Sequence, residues 1–167
     1  MASEYSFDVV SELDRQELVN AVDQTTRELT TRYDLKNTGS RIDLDKTSIT
    51  LASANETALN SIRDILIERA VRRKVSPKVF DFGRVEEASR GTVRQEVALR
   101  QGIDQDLAKE ITKLVRDKLP KLKSQVQGDA VRITGKNKDD LQVAIQTLRQ
   151  AEKDRNWTVP IQFTNYR

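Results

Sequence analysis

The 167-residue chain has no cysteine and no histidine. Their absence removes disulfides, thiolate nucleophiles, imidazole bases and the usual ligands of zinc, copper, haem and iron–sulfur clusters. Carboxylates, lysines, tyrosines and hydroxyls remain, and these serve at most a hard, oxygen-ligated ion such as Mg²⁺ or a carboxylate acid/base pair. No uninterrupted apolar run approaches the roughly 20 residues of a membrane span, and the opening residues lack the basic run and apolar core of an export signal. A cytoplasmic protein without membrane association is therefore expected, in agreement with a thiol-free chain in a reducing compartment. Aromatics are scarce at 5%, and no Gly-x-Gly-x-x-Gly is present. Gly135-Lys136 resembles the tail of a P-loop, but Ala130 stands where the leading glycine belongs and Asn137 where Ser or Thr would hold Mg²⁺.

What is present is a heavily charged surface over modest apolar content, 33% against 37%. The formal charge is only +3, but its distribution along the chain is uneven. Residues 1–89 carry 13 Lys and Arg against 16 Asp and Glu, and residues 90–167 carry 16 against 10, so the halves stand at −3 and +6. A basic second half points weakly to phosphate-bearing ligands.

The apolar spacing reads as one pattern written twice. Phe7-Asp8-Val9 alternates as a strand, and Leu18, Val22 and Leu29 recur at helical spacing. Ile42/Leu44 and Ile49/Leu51 form a hairpin, Asn55 caps a helix with Leu59, Ile62, Leu66 and Ala70 inward, and Phe80/Phe82 alternate in a fourth strand. In the second half Val93, Val97 and Leu99 make a strand, and Asp104 caps a helix carrying Leu107, Ile111, Leu114 and Val115. Leu122/Val126 and Val131/Ile133 then make a hairpin around Gly128-Asp129, Asn137 caps a helix with Leu141, Ile145 and Leu148, and Val159, Ile161 and Phe163 close the pattern. Ile49, Asn55 and Leu66 align with Val131, Asn137 and Leu148 at a constant offset. The expected fold is thus α+β, with two tandem ferredoxin-like βαββαβ domains at residues 1–85 and 90–167 and a polar linker from about Gly83 to Gly91.

If Leu122 and Val126 face the helices, Lys121, Lys123, Gln125 and Gln127 project to the open face of the second sheet, joined by Arg94, Arg100 and Arg132. Lysine and arginine neutralise phosphates and glutamine pairs with base edges, so this face and the Thr92–Gln101 segment, Gln95 included, are a candidate nucleotide-binding surface. Edge lysines also defend a sheet against pairing with another chain, and both readings stand at this stage. Lys136 opens a helix whose free N–H groups could meet a phosphate or be capped by Asn137. The carboxylate pairs Asp43/Asp45, Asp104/Asp106 and Asp139/Asp140 sit at a hairpin turn and in first helical turns, where they cap amides and complement the helix dipole; no catalytic or metal site is expected of them. The open face lacks the stacking aromatics of an RNA-recognition motif. Phe7, Phe80, Phe82 and Phe163 share the parity of core residues, while Trp157 and Tyr166 could stack on a base or pack.

Several strings together resemble the YajQ family of bacterial proteins: Ser6-Phe7-Asp8-Val9-Val10-Ser11-Glu12, Phe80-Asp81-Phe82-Gly83, Thr92-Val93-Arg94-Gln95, Gln101-Gly102-Ile103-Asp104, Val126-Gln127-Gly128-Asp129, Lys138-Asp139-Asp140-Leu141-Gln142 and Ile161-Gln162-Phe163-Thr164-Asn165-Tyr166-Arg167. The resemblance runs in order from Ser6 to Arg167, with Tyr33-Asp34-Leu35 and Tyr166 where Phe is commoner. It implies two ferredoxin-like domains that can exchange strands. It also implies binding of purine nucleotides, tRNA or other RNA, or in some bacteria a cyclic dinucleotide coupled to gene regulation, with no enzymatic activity and no cofactor. The alternative function it leaves is a nucleotide-responsive adaptor whose main target is a regulatory protein. Enzymatic action of a carboxylate pair on nucleotides is a third class, for which turnover by the pure protein is the test.

Overall fold

The computed structural model describes residues 4–167. Its elements run β1 (Tyr5–Val10), α1 (Arg15–Thr31), β2 (Arg41–Leu44), β3 (Ser48–Ser53), α2 (Glu56–Arg72), β4 (Phe80–Glu87), β5 (Val93–Leu99), α3 (Gln105–Lys118), β6 (Lys123–Gln127), β7 (Ala130–Gly135), α4 (Lys138–Asp154) and β8 (Gln162–Thr164). Each helix starts where a short polar side chain takes up an otherwise unpaired amide. Asp14 accepts from the Glu17 amide, Asn55 from Ala58, Asp104 from Leu107 and Asn137 from Asp139. Such a cap contributes about 1 kcal/mol.

The strands form two four-stranded antiparallel sheets, ordered β6-β7-β1-β8 and β2-β3-β5-β4. Both orders are ferredoxin-like, but the first strand of each repeat lies at the centre of the other repeat's sheet. Phe7 of β1 pairs with Ile133 of β7, and Val9 with Phe163 of β8. Val97 of β5 pairs with Ile49 of β3 on one side and Phe82 of β4 on the other. The chain accordingly divides into a terminal unit, made of the residues through Glu12 with Gln101–Arg167, and a central unit, Leu13–Arg100. The division into 1–85 and 90–167 is corrected by this grouping. The segment read as a linker is the end of β4 and a tight turn into β5, closed by bonds from the Ala88 amide to the Thr92 carbonyl and from the Thr92 amide to the Ser89 carbonyl. Polar, aperiodic residues suit a solvent-facing hairpin as well as they suit a linker.

Each unit has its own core. In the terminal unit Phe7, Val9, Ile111, Val131, Ile133 and Leu148 are fully buried, and in the central unit Leu18, Ile49, Leu51, Leu59, Ile62 and Val97 are. The central strands therefore supply core residues to the unit they enter. The two units also share a local device at the strand following the second helix. Phe82↔Val97 and Val85↔Gln95 leave Gly83 and Arg84 opposite the single residue Glu96. In the terminal unit the Asp8↔Thr164 pair is followed by reciprocal bonds between Ser6 and Arg167, 3.2 and 3.0 Å, which leave Asn165 and Tyr166 opposite Phe7. Both are β-bulges, which bend a strand and redirect its side chains. Gly83 is required at the first: a Cβ there would lie 2.8 Å from the Glu96 carbonyl oxygen.

Candidate functional site

The inward parity of Val131 and Ile133 sends Arg132 and Thr134 to the opposite, helix-free face of the terminal unit's sheet. The register then carries two rows of polar side chains across four strands. One is Lys123–Thr134–Ser6–Arg167, and the other is Gln125–Arg132–Asp8–Thr164; Gln127 extends β6 beyond them. Lys123, Gln125 and Gln127 are exposed, as the sequence pattern requires. Lys121 is exposed in the turn before β6, and Lys136 is exposed between β7 and the cap of α4.

Asp8 organises the centre of this face. Arg132 donates to it through Nε at 2.9 Å and Nη2 at 3.3 Å, and the side-chain amide of Asn165, at the bulge, donates at 2.9 Å. These bonds, the Arg132 pair foremost, hold the Asp8 carboxyl below the ordinary carboxylate range against the opposing effect of burial, and the positive charge of Arg167 adds to them. Asp8 is consequently ionised at neutral pH and neutralises Arg132. Arg132 keeps Nη1 with no side-chain partner among the described residues, so it is a fixed hydrogen-bond donor more than a free cation. Lys123 and Arg167 are the ends of the face that can meet phosphate without breaking an ion pair among the described residues.

Arg94 and Gln95 do not join this surface. Both lie on β5 in the central unit. Arg94 is exposed there and faces Glu86 at 3.8 Å, while Arg100 pairs with Asp81 at 3.2 Å. Gln95 is 4% exposed and points into the core, its Nε2 donating to the Gly83 carbonyl at 2.7 Å, so its role is to hold the bulge. The shared parity of Gln95 with Val93, Val97 and Leu99 was the sequence signal for this inward position. Exchange of β1 and β5 also dissolves the charge asymmetry. The terminal unit has 13 Lys and Arg against 12 Asp and Glu, and the central unit 16 against 14, so both are only weakly positive. What distinguishes the terminal unit is the arrangement on one face.

Asp8, Asn165 and Arg167 join this face without a signal in the sequence, because they meet only when the first strand pairs with the last. Trp157 proves to be packing: it is buried and its Nε1 donates to Glu110 at 3.0 Å, the main reason that carboxyl stays below its ordinary range. Tyr166 remains largely exposed beside Phe7, with ring centroids 6.2 Å apart. The carboxylate pairs are used structurally. Asp43 pairs with Arg41 at 2.8 Å, Asp45 accepts from the Lys46 amide, and Asp104 caps α3. Among the described residues no cluster of acidic side chains could hold a metal ion, and no helix is long and apolar enough to cross a membrane.

The family described as "Nucleotide-binding protein YajQ-like" matches residues 5–167. Among curated proteins, a nucleotide-binding protein of Nostoc sp. strain PCC 7120 and one of Chloroflexus aggregans are each 53% identical over the whole of both chains, and one of Chloroflexus aurantiacus is 52% identical over the same extent. An identity at this level over full-length chains, together with the two exchanged ferredoxin-like units, makes this chain a member of the YajQ-like family.

Proposed function

We propose that the chain is a non-enzymatic nucleotide-binding protein whose terminal unit meets its ligand on the open sheet face. The observation that carries this reading is the pair of cross-sheet rows, in which Lys123 and Arg167 stand as phosphate anchors on either side of fixed hydrogen-bonding groups from Arg132, Gln125 and Thr134. Strands spaced about 4.8 Å apart make a face some 14 Å wide. That width suits two or three nucleotides of single-stranded RNA lying across it. The relatives' names support nucleotide binding in general. RNA is the ligand this flat, amide-rich surface favours, and a cyclic dinucleotide is the competing ligand.

Fluorescence anisotropy of a short labelled RNA tests the reading, with ATP, GTP and cyclic dinucleotides as competitors at two salt concentrations. Each lost phosphate contact to a single strand lowers the salt slope by about 0.7, so Lys123→Glu with Arg167→Glu should weaken binding and flatten the slope together. Unchanged affinity and slope in that double variant would exclude this face. Val126, 50% exposed on the edge strand β6, favours the adaptor reading, in which a protein partner adds a strand. Recruitment of a partner that depends on nucleotide and is lost in Val126→Pro would support it.

A further inference from the structure

We infer that the central unit carries a separate nucleoside-phosphate site in the groove between α1 and α2, with the phosphate on Arg27, Arg32 and Arg69 and the base on Tyr33. The inference rests on the reading of the chain as a nucleotide binder but uses residues that reading does not.

The groove has a volume of about 470 Å³ and is lined on the α1 side by Arg27 and Arg32 and on the α2 side by Arg69. Two of these guanidinium groups are held in place by carboxylates along the same edge. Arg69 gives Nε and Nη2 to Glu28 at 3.2 and 3.0 Å, and Arg32 gives Nε and Nη2 to Asp34 at 2.9 and 3.0 Å. In each, Nη1 has no side-chain partner among the described residues. Arg27 is exposed and makes no ion pair among the described residues. Fixed arginines with free donors lose little side-chain freedom on binding an oxyanion. Glu68 also acts on Arg32 beside Glu28 and Asp34, so with Lys36 included the local balance is four positive groups against three carboxylates, a net positive charge that suits a phosphate anion.

Tyr33 follows directly on Arg32 and is 89% exposed, the most exposed large hydrophobic side chain among the described residues. The Lys36 ammonium stands 5.5 Å from its ring centroid. An aromatic ring left in water one residue on from Arg32 supplies what a nucleobase needs, since stacking on such a ring is worth roughly a five- to hundredfold change in affinity per base. The fold alone does not produce this arrangement. The corresponding groove between α3 and α4 has Arg155 as its one arginine, beside Lys118 and Asp154, and so no arginine cluster.

Titration of the full chain by calorimetry with a purine mononucleotide and with inorganic phosphate, and by anisotropy with a short RNA, tests the site in Arg27→Ala, Tyr33→Ala and the Lys123→Glu/Arg167→Glu pair. Arg27 and Tyr33 are exposed, and circular dichroism checks that both variants stay folded. Arg27→Ala should weaken mononucleotide and phosphate alike by at least about fivefold. Tyr33→Ala should weaken the mononucleotide by a similar factor and leave phosphate unchanged, and in the Lys123/Arg167 pair, whatever is lost at the open face, the remaining mononucleotide binding should still fall on adding Tyr33→Ala. The same losses seen with RNA alone would assign the nucleoside phosphate to a nucleic acid and support the site. Wild-type affinity in both groove variants, with loss in the Lys123/Arg167 pair, overturns this inference and leaves the proposed function standing; an unbound wild-type chain overturns both. Loss in Arg27→Ala with none in Tyr33→Ala overturns the nucleoside assignment.

Discussion

Cutting the chain in the turn at Ser89–Gly91 should yield two fragments that do not fold alone and do fold together. The C-terminal fragment would contain β6, β7, β8 and both helices of the terminal unit but not β1, the centre of that sheet. Phe7 and Val9 are both fully buried, and each contributes about 1.5–3 kcal/mol of burial, so their loss alone removes about 3–6 kcal/mol. The ladders on both sides of β1 go with them. A unit of roughly 80 residues has a total stability of about 4–12 kcal/mol, so the fragment should fall to the margin of folding. The N-terminal fragment loses β5 and the fully buried Val97 in the same way. Far-ultraviolet circular dichroism and amide dispersion in NMR would report each fragment separately and the equimolar mixture. The mixture should recover a cooperative transition. If the C-terminal fragment alone melted cooperatively at the temperature of the intact chain, the exchange of central strands would be wrong, because contiguous domains survive a cut between them.

Gly83→Ala should cost about 1–3 kcal/mol in urea denaturation, since its Cβ would sit 2.8 Å from a backbone oxygen that cannot rotate away; a neutral result would mean the bulge is adaptable. Asp8→Asn tests the pH dependence. The folded carboxyl is held below its unfolded value, so its contribution is full above the ordinary aspartate range near 3.9 and is lost as pH falls through the lower folded value. The wild type should therefore lose its advantage over Asp8→Asn as pH falls below the ordinary aspartate range, and parallel curves there would contradict the Arg132 pairing. Asn137→Ala should lower stability by about 1 kcal/mol through loss of the α4 cap, measured as a shift in urea midpoint without a change in slope.

Element types were legible because core periodicity is local. Leu59, Ile62 and Leu66 specify a helix face, and Val131 with Ile133 specify which side Arg132 takes, without knowledge of any distant partner. Sheet membership was not legible. Phe7/Val9 and Val97/Leu99 present the same alternation, so either strand satisfies either sheet's pattern, and the choice is made by packing, which draws β1 across more than a hundred residues to β7 and β5 back to the nearer β3 and β4. The candidate surface followed that division. Lys123, Gln125, Gln127 and Arg132 fall on one face because a single hairpin carries them, whereas Arg94 was assigned to the wrong sheet and Asp8, Asn165 and Arg167 were joined only by pairing of the chain's first and last strands.

The most direct test of the functional account is the amide chemical-shift map of the ¹⁵N-labelled chain titrated with a short single-stranded RNA at low salt. The account predicts shifts concentrated on β6, β7 and the Thr164–Arg167 segment, weakened by added salt and by Lys123→Glu with Arg167→Glu. Shifts confined to other elements, with this face silent at saturating ligand, would contradict it.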